Sequence, residues 1–101
     1  MATAMSALLS EQHFAIAPNL NEGDGRRFGN SVLDALERGM NHVIIDCREW
    51  HRLDLTLLSA LVRCANAFAR HGATLEFANL SPEMRAIVRE LRLQRRLRVL
   101  D

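Results

Sequence analysis

A chain of 101 residues has room for one domain with a single core, and its 49% apolar and 25% charged content is that of a folded globular protein rather than a disordered one. The net charge of +1 conceals thirteen Arg and no Lys, which excludes Schiff-base chemistry, a phosphate-loop lysine and a lysine general base. Cys47 and Cys64 are too few and too far apart for a disulfide framework or a C-x-x-C redox pair, so both are expected to be reduced and buried.

The longest uncharged run, Met1–Ser10, is ten residues, where a bilayer-spanning helix needs about 20 apolar ones. It lacks the basic start of a signal peptide, so no membrane insertion and a cytoplasmic location are expected. Met1–Ala4 reads as a loose end, followed by short strands at Met5–Leu9 and His13–Ala17. Pro18–Gly25 is turn chemistry. Asp24 is placed to N-cap a helix running through Glu37, with Phe28, Val32, Ala35 and Leu36 on one face and Gly39 just past its end. His42–Cys47 is a β-branched run ending in an acid, the pattern of a buried strand.

Asp54 caps a second predicted helix to about Arg70, whose inward stripe is Leu58, Leu61, Val62, Ala65, Phe68 and Ala69. Ala73–Ala78 alternates as a strand should. Ser81-Pro82-Glu83 is an N-cap, a proline at the first helical position and an acid in the first turn. Leu97–Leu100 reads as a short closing strand. The alternation predicts one α/β domain over 1–101, a mostly parallel sheet of four to five strands with three helices packed on it.

Gly23-x-Gly25-x-x-x-Gly29 opens a helix, and Asp46 lies 21 residues beyond Gly25, a pattern that invites comparison with dinucleotide binding. The third glycine is one residue late, Phe28 fills the place of a small residue, and Pro18–Glu22 separates strand from glycines too widely. Nucleotide binding is therefore a remote alternative, and no cofactor is expected. Cys47-x-x-x-His51 is the only close pair of metal-ligand type, whereas structural zinc uses four ligands, so no metal site is expected. No catalytic motif pairs Ser or Cys with His, and no catalytic residues are assigned.

Residues 84–98 hold six Arg against one Glu. Arg85, Arg89, Arg92 and Arg96 are spaced +4, +3, +4, so a helix continuing that far would gather them into a secondary basic surface. Nucleic acid is not the expected partner, since no recognition motif accompanies the charge.

Val43-Ile44-Ile45-Asp46 followed by Leu53-Asp54-Leu55-Thr56-Leu57-Leu58-Ser59-Ala60-Leu61 resembles the STAS domain of anti-sigma-factor antagonists. In that family a strand ending in Asp leads to a loop of the form D-[ST]-[STG]-G-L-x-x-L at the start of a helix. Asp46, Asp54, Thr56, Leu58 and Leu61 fit that frame. The resemblance implies a non-catalytic, protein-binding regulatory module whose partner is an anti-sigma factor or serine kinase. Its contact surface would comprise Asp54, Leu55, Thr56, Leu57 and Ser59. The acceptor hydroxyl of phosphorylated members is replaced here by Leu55, so any phosphorylation would fall on Thr56 or Ser59. Arg52-Leu53-Asp54 is also similar to the STAS subunit of the Mla phospholipid ABC transporter, which implies the transporter's ATPase subunit as the alternative partner. Trp50 is expected in the core, with a hot-spot role in the same loop as the other reading. The sequence leaves the oligomeric state open.

Overall fold

The structure is a computed structural model that describes residues 11–100. Strands β1 (Glu11–Ala15), β2 (His42–Asp46), β3 (Thr74–Ala78) and β4 (Arg98–Val99) alternate with helices α1 (Asp24–Glu37), α2 (Leu55–Arg70) and α3 (Pro82–Glu90). The sheet runs in the order β1-β2-β3-β4 with every described pairing parallel. Each connection steps one strand further in the same direction, so right-handed crossovers carry all three helices over one face. The expected α/β layer with three helices is what forms. The strand expected over Met5–Leu9 lies outside the described residues, and the next begins two residues earlier than the alternation suggests.

Strand alternation divides the sheet sharply. Val43, Ile45, Leu75 and Phe77 point under the helices and are at most 6% exposed. They join Val32, Leu57, Leu61, Phe68, Met84 and Val88 in one core. On the opposite face His42 lies between Glu76 and Glu11, and Glu76 also meets Arg98 at 3.5 Å. This polar network needs no helix over it, because each charge keeps access to water.

The helix boundaries follow local chemistry. Asp54 Oδ1 accepts from the backbone N–H of Thr56 at 2.9 Å and of Leu57 at 3.1 Å, closing two of the open donors at the start of α2. Ser81 Oγ does the same for Met84 N–H at 3.2 Å. Gly39 and Gly72, at φ +94° and +67°, take the left-handed position that ends α1 and α2. Two expectations are corrected. Gly23, not Asp24, is the N-cap residue of α1. Asp24 sits in the first turn instead, accepting from Asn21 N–H at 2.7 Å and from Arg27 at 2.5 Å. Helix α3 ends at Glu90 rather than running on through Arg96, because Arg92 turns to φ +58°.

α1 and α2 cross in close contact. A Cβ on Gly29 would lie 2.8 Å from Ala60 Cβ, and one on Gly25 would lie 3.0 Å from Leu57 Cα. The first contact cannot form without a shift of one helix, and the second would need Leu57 to give by a few tenths of an ångström. The glycine pattern that suggested a nucleotide loop is therefore a packing device: Gly25 and Gly29 are one helical turn apart and seat α1 on α2.

Candidate functional site

Asp46 ends β2 and orders the loop that follows it. Its carboxylate accepts from Asn79 Nδ2 at 3.0 Å and from Arg48 N–H at 2.9 Å, and these two hydrogen bonds, Asn79 first, hold its pKa below the usual 3.8. Asn79 reaches it from a left-handed backbone at φ +59°, a conformation Asn tolerates better than most residues. The segment from Arg48 to Asp54 then passes over the C-terminal end of the sheet and enters α2. Between this segment and the β1–α1 connection lies a crevice of about 510 Å³, bordered by Asn19, Asn21, Glu49, His51 and Arg52.

The residues expected to contact a partner separate into two sets. Leu53 is 45% and Leu55 67% exposed, on either side of the half-buried cap Asp54. Thr56 and Ser59 are exposed as well, on the outer side of the first turns of α2. Leu57 is not part of this surface: it is fully buried, facing Gly25 across the helix crossing. The register of α2 explains the difference, since a two-residue step rotates the side chain by about 200° around the helix. Trp50 is 3% exposed and packs in the core, which removes it as a surface hot spot.

The basic residues of the last quarter do not share a face. Arg85 donates to Leu80 O and Leu100 O, both at 3.2 Å, bracing α3 against the chain end. Arg96 instead reaches Asn66 on α2 at 3.3 Å. With Arg92 in the left-handed turn, Arg89 alone extends the helical row begun by Arg85.

Cys47 and His51 diverge. Cys47 Sγ is buried 3.6 Å from Ile45 O, whereas His51 is exposed and meets Glu49 at 3.6 Å. Burial pushes the Cys47 thiol up to about 12 and the Cys64 thiol up to about 11, so both resist ionisation. Among the described residues no group of three His, Cys, Asp or Glu side chains is arranged to hold a metal ion. No helix of the described residues is long and apolar enough to cross a membrane.

A feature the sequence did not announce lies on the outer surface of the α1–α2 crossing. Arg26 on α1 and Arg63 on α2 flank a shallow cavity of about 360 Å³ that is completed by Leu55, Thr56, Ser59 and Ala60. The available signal was composition: α2 carries Arg63 and Arg70 but no acid in sixteen residues.

A parallel βα layer whose second strand ends in an acid, followed by an aspartate-capped helix entry bearing exposed leucines, defines a STAS-type α/β domain. A family model with the description "Mlab, STAS domain" matches residues 5–100, and the chain belongs to the STAS domain family. Its fold is similar to that of TM1081, a proposed anti-sigma factor antagonist from Thermotoga maritima. The crystal structure of that protein aligns with a TM-score of 0.71 at 16% identity, covering 89% of this chain and 73% of the other. The NMR structure of TM1081 gives a TM-score of 0.78 at 17% identity over 88% and 72% of the two chains. No curated protein matches the chain significantly.

Proposed function

We propose that the protein is a non-catalytic binding module of the anti-sigma-factor-antagonist type, which docks another protein through the 48–59 loop and the first turns of α2. The observation that carries this reading is Leu55, 67% exposed at a helix entry, beside Leu53 at 45%. Two large apolar side chains held in water by a rigid cap lose that exposure on docking, and burying each contributes about 1.5–3 kcal/mol. Asp54 holds the entry, while Thr56 and Ser59 offer hydroxyls at the rim. Leucine accepts no phosphoryl group, so any kinase regulation acts on Thr56 or Ser59 and not on position 55.

A second reading assigns the same surface to the ATPase subunit of a phospholipid-type ABC transporter. It is favoured by the description of the matching family and by the similarity of Arg52-Leu53-Asp54 to the Mla STAS subunit. An apolar contact with no phosphorylatable group at position 55 suits a permanent subunit as well as it suits a regulator.

Leu55→Glu tests the surface and co-expression tests the partner. The variant is expected to keep its circular dichroism spectrum and melting temperature, since Leu55 lies outside the core. It is also expected to lose whichever co-expressed partner, anti-sigma kinase or ABC ATPase, the wild type retains. Unfolding, or retention of that partner at unchanged affinity, would refute the docking surface.

A further inference from the structure

We infer that the partner segment recognised at this surface is acidic: it presents a carboxylate to Arg26 and Arg63 within one helical turn of an apolar side chain seated on Leu55. This rests on the docking surface proposed above and extends it from the loop to the α1–α2 crossing.

Three observations combine. First, the cavity between the helices is lined by two guanidinium groups, two hydroxyls, Leu55 and Ala60, with no carboxylate among them. Second, neither the Arg26 nor the Arg63 side chain has an ion pair or hydrogen bond among the described residues, although the neighbouring Arg27 is held by Asp24 at 2.5 Å. Third, Arg63 lies back across the crossing toward α1, its Nη2 in van der Waals range, 3.6 Å, of the Cβ position of Gly29. An exposed arginine without a partner is ordinary. Two of them facing one hollow with no carboxylate in its lining, at the margin of an exposed leucine, form a complement to a carboxylate beside an apolar group. Guanidinium groups bind carboxylates through paired N–H donors, which also fixes the orientation of the incoming segment. Thr56 and Ser59 supply further hydrogen-bonding groups at the rim.

A membrane surface fits less well. Anionic-lipid recognition uses clusters of about four to eight basic residues. Here there are two, set around a shallow concavity of about 360 Å³.

The test is a selection of displayed helical peptides against the intact protein. Enriched peptides are expected to carry Asp or Glu within one turn of Leu, Ile, Met or Phe. Their affinity for the Arg26→Glu/Arg63→Glu variant, folded by circular dichroism, is expected to fall at least about tenfold. Replacing the peptide acids by Lys is expected to restore binding to that variant and to weaken binding to the wild type. Peptides lost on Leu55→Glu but indifferent to the charge reversal would overturn the acidic partner while leaving the docking surface standing. Peptides indifferent to both changes would overturn both. A selection that returns no acid-bearing peptide, or arginine-dependent binding to phosphatidylglycerol vesicles in its place, would also overturn the inference.

Discussion

Leu55 and Leu57 are the same residue type two positions apart, and α2 gives them opposite fates. Leu57 is fully buried against α1, so Leu57→Ala leaves a cavity and should cost about 2–5 kcal/mol. Leu55→Ala removes an exposed side chain and should stay within about 0.5 kcal/mol of wild type. Urea unfolding followed by the fluorescence of Trp50, the sole tryptophan and a buried one, distinguishes the two. Equal effects would contradict the opposite burial of the two side chains. Gly29 presents the reverse case. Alanine normally gains about 0.5–1 kcal/mol over glycine inside a helix. At Gly29 the added methyl would meet Ala60 Cβ at 2.8 Å, and overpacking of about 1–3 kcal/mol should win. Gly29→Ala is therefore expected to lower the urea midpoint, while Gly29→Ala/Ala60→Gly recovers part of the loss.

At the scale of elements, the starts of α2 and α3 were legible because capping is local. Asp54 and Ser81 each satisfy backbone donors within three residues, and nothing distant is needed to see it. Asp54→Ala should cost about 0.5–2 kcal/mol in the same urea measurement, with Asp54→Asn largely retained. The end of α3 was not legible. Its left-handed stop falls on Arg92, in a segment whose arginine spacing imitates a continuing helix and which has no glycine to mark the turn. Arg92→Gly removes a left-handed cost of about 1–2 kcal/mol and adds a smaller entropic one, for a net gain of about 0.5–1 kcal/mol. A loss of stability instead would show that the Arg92 side chain supports the turn. The glycines of α1 were visible but their role was not, because it depends on Leu57 and Ala60, more than thirty residues away. The Arg26–Arg63 pair escaped for the same reason: its members meet only once the helices cross.

For the molecule as a whole, four groups among the described residues make stability depend on pH. The carboxyls of Asp24 and Asp46 are lowered from 3.8 by hydrogen bonds, to Asn21 and Arg27 for Asp24 and to Asn79 and Arg48 for Asp46. Their contribution is complete above that value and is lost as pH falls below it, because the unfolded chain takes up protons first. The thiols of Cys47 and Cys64 are raised from 9.0 to about 12 and about 11, so theirs is complete below 9.0 and fades above it, where the unfolded thiols ionise first. Urea midpoints should thus fall on both sides of a plateau, and the alkaline fall should shrink in a Cys47→Ala/Cys64→Ala variant. The strand order has a further consequence, in time rather than in space. Every described strand pairs with the next one along the chain, so each pairing closes a single βα crossover of roughly thirty residues or fewer and none has to skip a strand. As the polypeptide leaves the ribosome, each βα unit can dock on the one already made. β4, two residues long, is the last of the described strands to join and lies at the edge of their order. Its amides should exchange with solvent first, and those of β2, flanked on both sides, last.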